Sequence, residues 1–245
     1  GFESSFDLWS GAAGLSWQPV PALKLGANFI HGARAPAPEE LLSDGMHVAT
    51  QSYELGDRSF TAETSNGVEA YIRYHGEGAS LSLTGYHTRF PRFIASLPTG
   101  AEQDGLPVFA YRQQAATFKG FEAEGSLRLA QLGERKLTVD AAVDYTHASL
   151  GTGGPVPRIP PLRVRGGIAL DAPDLNLRGE VEWNAAQNRV PAFERTVAGF
   201  AMVNLSADWH PMGEHGPLTL ILAANNLLDQ TGRRAASYTR EFVPL

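Results

Sequence analysis

The segment "LNLRGEVEWNAAQN", residues 175–188, restricts the fold more than any other part of the chain. Leu175, Leu177, Gly179, Val181 and Trp183 are apolar or small, and Asn176, Arg178, Glu180, Glu182 and Asn184 between them are polar. A two-residue period sends successive side chains to opposite faces of a β-strand, so this strand has one dry face and one wet one. The fold then turns on what the dry face meets: a second sheet, or lipid.

The same pattern recurs along the chain and predicts ten strands, at about 8–18, 22–33, 64–75, 78–92, 115–130, 136–149, 162–171, 175–187, 197–210 and 217–226. "GFEAEGSLRL" sets Phe121, Ala123, Leu127 and Leu129 against Glu122, Glu124, Ser126 and Arg128. "LTVDAAVDY" sets Leu137, Val139, Ala141, Val143 and Tyr145 against Asp140 and Asp144. Helical period is confined to one turn at Pro36 to Leu42. The connections alternate in length: tight ones fall at 18–22, 75–78, 131–136, 171–174 and 211–216, and long ones at 34–63, 93–114, 150–161, 188–196 and from 227 onward. An up-and-down membrane barrel sorts its loops in this way, with short turns on the periplasmic side and long loops outside.

Two further features favour lipid over a protein core. The strands are long compared with the usual five or six residues. The wet face is also dense in charge, through Arg73, Glu122, Glu124, Arg128, Asp140, Asp144, Arg163, Arg165, Arg178, Glu180, Glu182 and Asp208, as a lumen lining requires. Trp17, Phe29, Tyr74, Phe121, Tyr145, Trp183 and Trp209 fall near strand ends, where interfacial girdles form. The same alternation puts His31, His87 and His147 on the lipid-facing side at headgroup height, and His75, His210 and His215 near the tight turns. Strand-borne membrane proteins escape hydropathy averaging, so the lack of any apolar run near 18 residues excludes helical spans only. A net charge of −6 argues against nucleic acid as a partner. The absence of cysteine excludes disulfides, thiolate metal sites and thiol nucleophiles.

Four stretches carry a resemblance. The first is "GANFIHGARAPAPEELLSDGMHVATQSYELGDRSFTAETSNGVEAYIRY", with Arg34-Ala35-Pro36 at a strand end, Glu40-Leu41 in the loop and Glu63 opening the next strand. "TFKGFEAEGSLRL" (117–129), "PRIPPLRVRGGI" (157–168) and "LILAANNLLDQTGRRAASY" (220–238) follow in order. Together they resemble the C-terminal half of TonB-dependent outer-membrane receptors, and cover nearly the whole chain. The resemblance implies an all-β, antiparallel up-and-down transmembrane barrel of roughly 22 strands, of which residues 1–245 supply about ten. The plug domain, the first half of the barrel and the final closing strand are expected to be absent, since the chain opens mid-pattern and stops at "REFVPL". It further implies residence in the bacterial outer membrane, lipid around the barrel, contact with TonB through the missing plug, and TonB-driven import of a scarce nutrient. No cofactor is required.

Within that family "SDGMHVATQSYELGD" (43–57) is most similar to zinc-uptake receptors, through His47, Ala49, Thr50, Glu54 and Gly56. From the residues themselves, His47 with Asp44, Glu54 and Asp57 offers imidazole and carboxylate donors of the kind zinc accepts, with zinc as transported ligand. The plainer alternative is a solvated acidic loop, since no HxH or HxxxH pair fixes a site. The charged wet face likewise reads either as substrate path or as structural pairing across the sheet. Catalysis has little support: the paired carboxylates recur on strand after strand as lining, and "RAASYTR" (234–240) places its serine on no nucleophile elbow. Receptors for siderophores or other nutrients, an adhesin or autotransporter-type barrel, and a soluble β-sandwich binding module remain the alternatives.

Overall fold

The computed structural model describes residues 3–213 and 216–237; His215 and the terminal "REFVPL" lie outside them. Its elements are β1 (Gly11–Val20), β2 (Leu23–Arg34), α1 (Pro38–Leu42), β3 (Asp44–His47), β4 (Ser52–Leu55), β5 (Glu63–His75), β6 (Ala79–Gln103), β7 (Leu106–Leu132), β8 (Arg135–Leu150), β9 (Arg163–Asp171), β10 (Leu175–Asn184), β11 (Phe200–Trp209) and β12 (Leu220–Ala224). The twelve strands form one sheet, in which β1-β2-β5-β6-β7-β8-β9-β10-β11-β12 run antiparallel to their neighbours. These ten are the ten strands expected from alternation. The sheet does not close on itself among the described residues, since β1 and β12 are its two ends.

The register joins the small and apolar alternates into continuous rows. One runs Trp17, Leu25, Ile72, Leu83, Ala123, Val143, Val164, Trp183, Ala201 across nine strands. On the opposite face the row one residue along each strand reads Lys24, Arg73, Ser82, Glu124, Ala142, Arg165, Glu182, Met202. On β10 burial is inverted relative to a soluble sheet. Leu177, Val181 and Trp183 are 40%, 46% and 43% exposed, whereas Arg178, Glu180 and Glu182 are half-buried. All seven girdle aromatics lie exposed on the apolar face. Trp17, Tyr74 and Trp209 mark its tight-turn end, and Phe29, Phe121, Tyr145 and Trp183 its other end.

The polar face is held by charge pairs that bridge strands. Arg178 on β10 extends over Gly167 on β9 to reach Asp140 on β8, with nitrogen–oxygen distances of 2.6 and 3.0 Å. A Cβ at residue 167 would lie 2.5 Å from that guanidinium, so glycine here gives the arginine its room. Arg163 meets Asp144 at 2.7 Å, and Arg234 meets Glu182 at 2.9 Å. Tyr86 likewise lies across Gly120 to bond Thr146 at 2.6 Å, an aromatic cover over bare backbone.

One expected loop is corrected. Residues 93–114 are not a connection: β6 and β7 continue as a hairpin of 25 and 27 residues. Its tip is Asp104-Gly105, both at positive φ (53° and 76°), the pairing that a two-residue type I′ turn demands. Shorter corrections have local causes. The predicted strand at 197 begins only at Phe200, because Val197 pairs with Gln187 in an isolated bridge instead. The one at 217 begins at Leu220, since Pro217 has no N–H for a ladder.

Polarity also reverses along the long strands. Beyond Gly120 and Thr146 the formerly polar side carries Ala116, Ala148, Leu150, Phe90 and Phe118, packed with Val156 under the outer loops. A bulge between Phe90 and Phe93 turns Phe93 to that side. There it makes edge contacts with Phe90 and Phe118, all three rings 5.3–5.4 Å apart.

This geometry gives a direct test in the full-length protein folded into lipid vesicles. Val181→Arg, in the middle of the apolar face, is expected to lose about 2–4 kcal/mol of folding free energy in urea titrations. Asn176→Arg, on the polar face of the same strand, should change it by about 0.5 kcal/mol or less.

Candidate functional site

The Arg-Ala-Pro, Glu-Leu and Glu stretches noted in the sequence meet at one point. Arg34, at the end of β2, donates to Glu63 at 2.8 and 3.0 Å and to Glu40 at 2.7 and 3.0 Å, two bidentate pairs from one guanidinium. Glu63 is buried and also accepts the Ile94 backbone N–H at 2.8 Å, tying β5 to the bulged part of β6. Glu40 accepts the Ala37 N–H at 2.7 Å, so it caps the short helix α1 from its third position. Leu41, next to it, packs with Phe60 and Ile94. These contacts fix the 35–62 connection against the extended hairpin.

That connection carries a second hairpin, β3 with β4, and β4 runs parallel to β7 through Tyr53–Val108, Glu54–Phe109 and Leu55–Ala110. Between these parts lies a cleft of about 880 Å³. Ile94 to Ser96 of β6 with Phe109 and Tyr111 of β7 line one part of it. Glu39 and Glu40 of α1 and Ser52 and Glu54 of β4 line another, and the loop segments 156–158 and 193–195 a third. Phe109 meets Phe193 edge-on at 5.6 Å. The Arg158 backbone N–H donates to Glu194 at 3.4 Å.

Glu54 is the polar centre of the cleft. Its Oε2 accepts from Tyr111 at 3.2 Å, and its Oε1 accepts from Thr50 at 3.4 Å and Ser52 at 3.5 Å. His47 Nδ1 is hydrogen-bonded to Thr50 Oγ1 at 2.8 Å and lies 3.8 Å from Glu54 Oε1. Of the four residues expected as a metal set, His47 and Glu54 are therefore neighbours. Asp44 instead accepts a 2.7 Å bond from Tyr53, which pushes the phenol pKa up. Asp57 accepts the hydroxyl and backbone N–H of Ser59, and these bonds hold its carboxyl below the usual range. Among the described residues no three His, Asp or Glu side chains converge on one point.

The ten expected wall residues, Arg73, Glu122, Glu124, Arg128, Asp140, Asp144, Arg178, Glu180, Glu182 and Asp208, all share the polar face in this register. Asp140, Asp144, Arg178, Glu180 and Glu182 are in ion pairs. Arg128 donates to Gln131 at 2.8 Å and to the Glu77 carbonyl, and Arg73 lies 4.6 Å from the Tyr71 ring centroid. Sequence reasoning placed these side chains by parity alone. It missed the cleft residues Glu39, Phe109, Tyr111 and Phe193; the signal available for half of them was the Asp-Gly turn at 104–105, which makes 106–111 a strand.

A sheet that exposes its apolar side and keeps its ion pairs on the other defines a class, the outer-membrane barrel wall. The sequence matches the family described as "TonB dependent receptor-like, beta-barrel" over residues 1–227, and the chain belongs to that family. Its members are outer-membrane proteins, and the family and its structural neighbours are transporters and receptors rather than enzymes, with no resident cofactor.

Three solved structures illustrate the likeness. A copper transporter, OprC, is 20% identical with a TM-score of 0.81, the match covering 96% of this chain and 37% of OprC. The FrpB iron transporter from Neisseria meningitidis is 14% identical with a TM-score of 0.68, covering 96% and 37%. The siderophore receptor PirA from Pseudomonas aeruginosa is 16% identical with a TM-score of 0.63, covering 91% and 39%. At these identities the likeness is one of fold, and the chain spans well under half the length of each of these proteins.

The Arg34 contacts make a test of the clamp. Arg34→Ala leaves the buried Glu63 without its cation and is expected to cost about 1–3 kcal/mol. Limited proteolysis of the full-length protein should then cut first within 35–62. Arg34→Lys, which cannot serve both carboxylates bidentately, should restore only part of the protection.

Proposed function

We propose that the chain is the C-terminal part of the barrel of a TonB-dependent importer, and that the cleft around Glu54 captures a scarce metal nutrient as a small complex. In this reading the apolar face meets outer-membrane lipid and the polar face lines a lumen. The plug domain, the first half of the barrel and the closing strand come from the rest of a longer protein. Among the described residues β1 and β12 have open edges, which supports this, because unpaired strand edges are not tolerated in hydrocarbon. TonB, acting through the plug, supplies the energy that opens the path after capture.

The observation that carries the reading is the character of the cleft. Its volume of about 880 Å³ suits a small organic ligand, for which pockets span about 300–1,000 Å³. Its lining joins the carboxylates Glu39 and Glu54 to Tyr111 and the Phe109–Phe193 pair. A bare zinc ion asks for three or four protein ligands, and His47 with Glu54 is short of that. A complex brings its own donors and needs only orientation. The names of the neighbours, a copper transporter, an iron transporter and a siderophore receptor, agree with metal cargo. Zinc is the first metal to test, on the similarity of residues 43–57 and the His47–Glu54 contact.

The experiment is calorimetric titration of the complete receptor in detergent with zinc, free and as its citrate complex. Saturable binding of the complex is expected, weakened tenfold or more by Glu54→Gln and by His47→Ala. No binding of zinc in either form to the wild type removes zinc as cargo and directs the same titration to ferric siderophores. Wild-type affinity in both variants would take the cleft out of the capture step.

A further inference from the structure

Every arginine that the structure pairs on the polar face has a carboxylate within 3.0 Å. The outer end of the apolar face is built differently. There the register sets His87 directly opposite Lys119, and Lys119 directly opposite His147. One step further out, Arg89 stands opposite both Asn66 and Thr117, and Thr117 opposite Ser149. Arg189 reaches in from the loop after β10 and donates to Ser149 Oγ at 2.8 Å and to the Ala148 carbonyl at 2.6 Å. His31 flanks the strip, stacked on Trp9 at 3.9 Å and hydrogen-bonded to Asn66 at 2.9 Å.

No aspartate or glutamate occupies these two rows, and among the described residues neither Lys119 nor Arg89 has an ion-pair partner. Both are exposed. Lys119 and Arg89 are diagonal neighbours through His87, about 7–8 Å apart on one face, two cations with no carboxylate between them. This arrangement therefore invites an external anion. The strip also begins one step beyond Phe121 and Tyr145, the last aromatic pair of the apolar band. Its height is that of lipid headgroups.

We infer that this strip is a binding site for the phosphate groups of an anionic lipid of the outer leaflet. Lys119 and Arg89 supply the charge, and the flanking histidines, Asn66 and Ser149 complete the set of polar groups around the phosphate oxygens. The acyl chains then lie down the apolar face below Phe121. The inference rests on the reading that this face meets lipid.

The test uses the complete receptor in nonionic detergent, titrated with diphosphorylated lipid A, with phosphatidylcholine and with inorganic phosphate, and read by native mass spectrometry. Saturable lipid A binding, at least tenfold tighter than phosphatidylcholine, is expected. The Lys119→Gln/Arg89→Gln double variant should lose at least tenfold of it, while Arg135→Gln, at the opposite end of β8, should stay within twofold. Equal binding of lipid A and phosphatidylcholine, or an unaffected double variant, overturns the site. Inorganic phosphate binding as tightly as lipid A overturns the lipid as its occupant. In parallel, the fluorescence of Trp183, obtained as a difference from Trp183→Phe, is measured in vesicles with brominated acyl chains. Quenching together with an unaffected double variant rejects this inference alone, and absence of quenching rejects the lipid-facing reading beneath it.

Discussion

Strand register is the constraint on which everything else in this molecule depends. A slip of one residue in any pairing turns every side chain of that strand to the other face. Here the penalty for a slip is large in both directions, because Arg178, Glu180 and Glu182 would enter the apolar face while Leu177, Val181 and Trp183 would break the ion-pair network. The charge pairs that lie above the sheet act on the same register. Arg178 reaches Asp140 by passing over the bare Gly167, which couples the alignment of β8, β9 and β10. Such pairs contribute little net stability while solvated; their larger effect is to make one alignment better than its neighbours.

The same strands change environment as they leave the band. Along β7 the outward side runs from Leu129 and Leu127 through Phe121 to Lys119 and Thr117, while the inward side runs from Glu124 and Glu122 to Phe118 and Ala116. A single strand thus obeys two opposite rules, with apolar groups outward over one part and inward over the next. The bulge at Phe90 to Phe93 lies where the second rule takes over, and it returns to the inner core a ring that strict alternation would have sent outward. An extra residue in a ladder costs a hydrogen bond, and here it is offset by closing an aromatic cluster beneath the loops.

The ten strands and the parity of their charges were legible in the sequence because alternation is local: each residue's face follows from its neighbour's. The extended hairpin was not. In "FPRFIASLPTGAEQDGLPVFAYRQQ" three prolines, the apolar pairs Phe93-Ile94 and Val108-Phe109, and the bulge break the period, and both sides of the ladder are covered at its base. Alternation carries no information where neither face is uniformly wet. The candidate site divides in the same way. Arg34, Glu40 and Glu63 stood out as a spaced motif because the motif is the clamp itself. Glu54 and Tyr111 meet across 57 residues through the parallel pairing of β4 with β7, and nothing in either segment announces its partner.

The clamp and the cleft have a physical connection. Glu63 holds the Ile94 N–H with the same carboxylate oxygen that receives Arg34 Nη2, and Ile94 also lines the cleft. That part of the cleft is therefore tied to β2 and β5 through charge-assisted bonds to the buried Glu63 carboxylate. The opposite wall is held more lightly, by the short β4–β7 pairing and by hydroxyl bonds to Glu54 of 3.2–3.5 Å. Bonds anchored on a buried carboxylate open rarely, whereas a short, partly exposed hairpin opens at much lower free energy. In the proposed capture, a firm floor with a lighter wall would let a ligand be admitted and then contacted from the β3–β4 side without disturbing the long strands below, whose register admits no such adjustment.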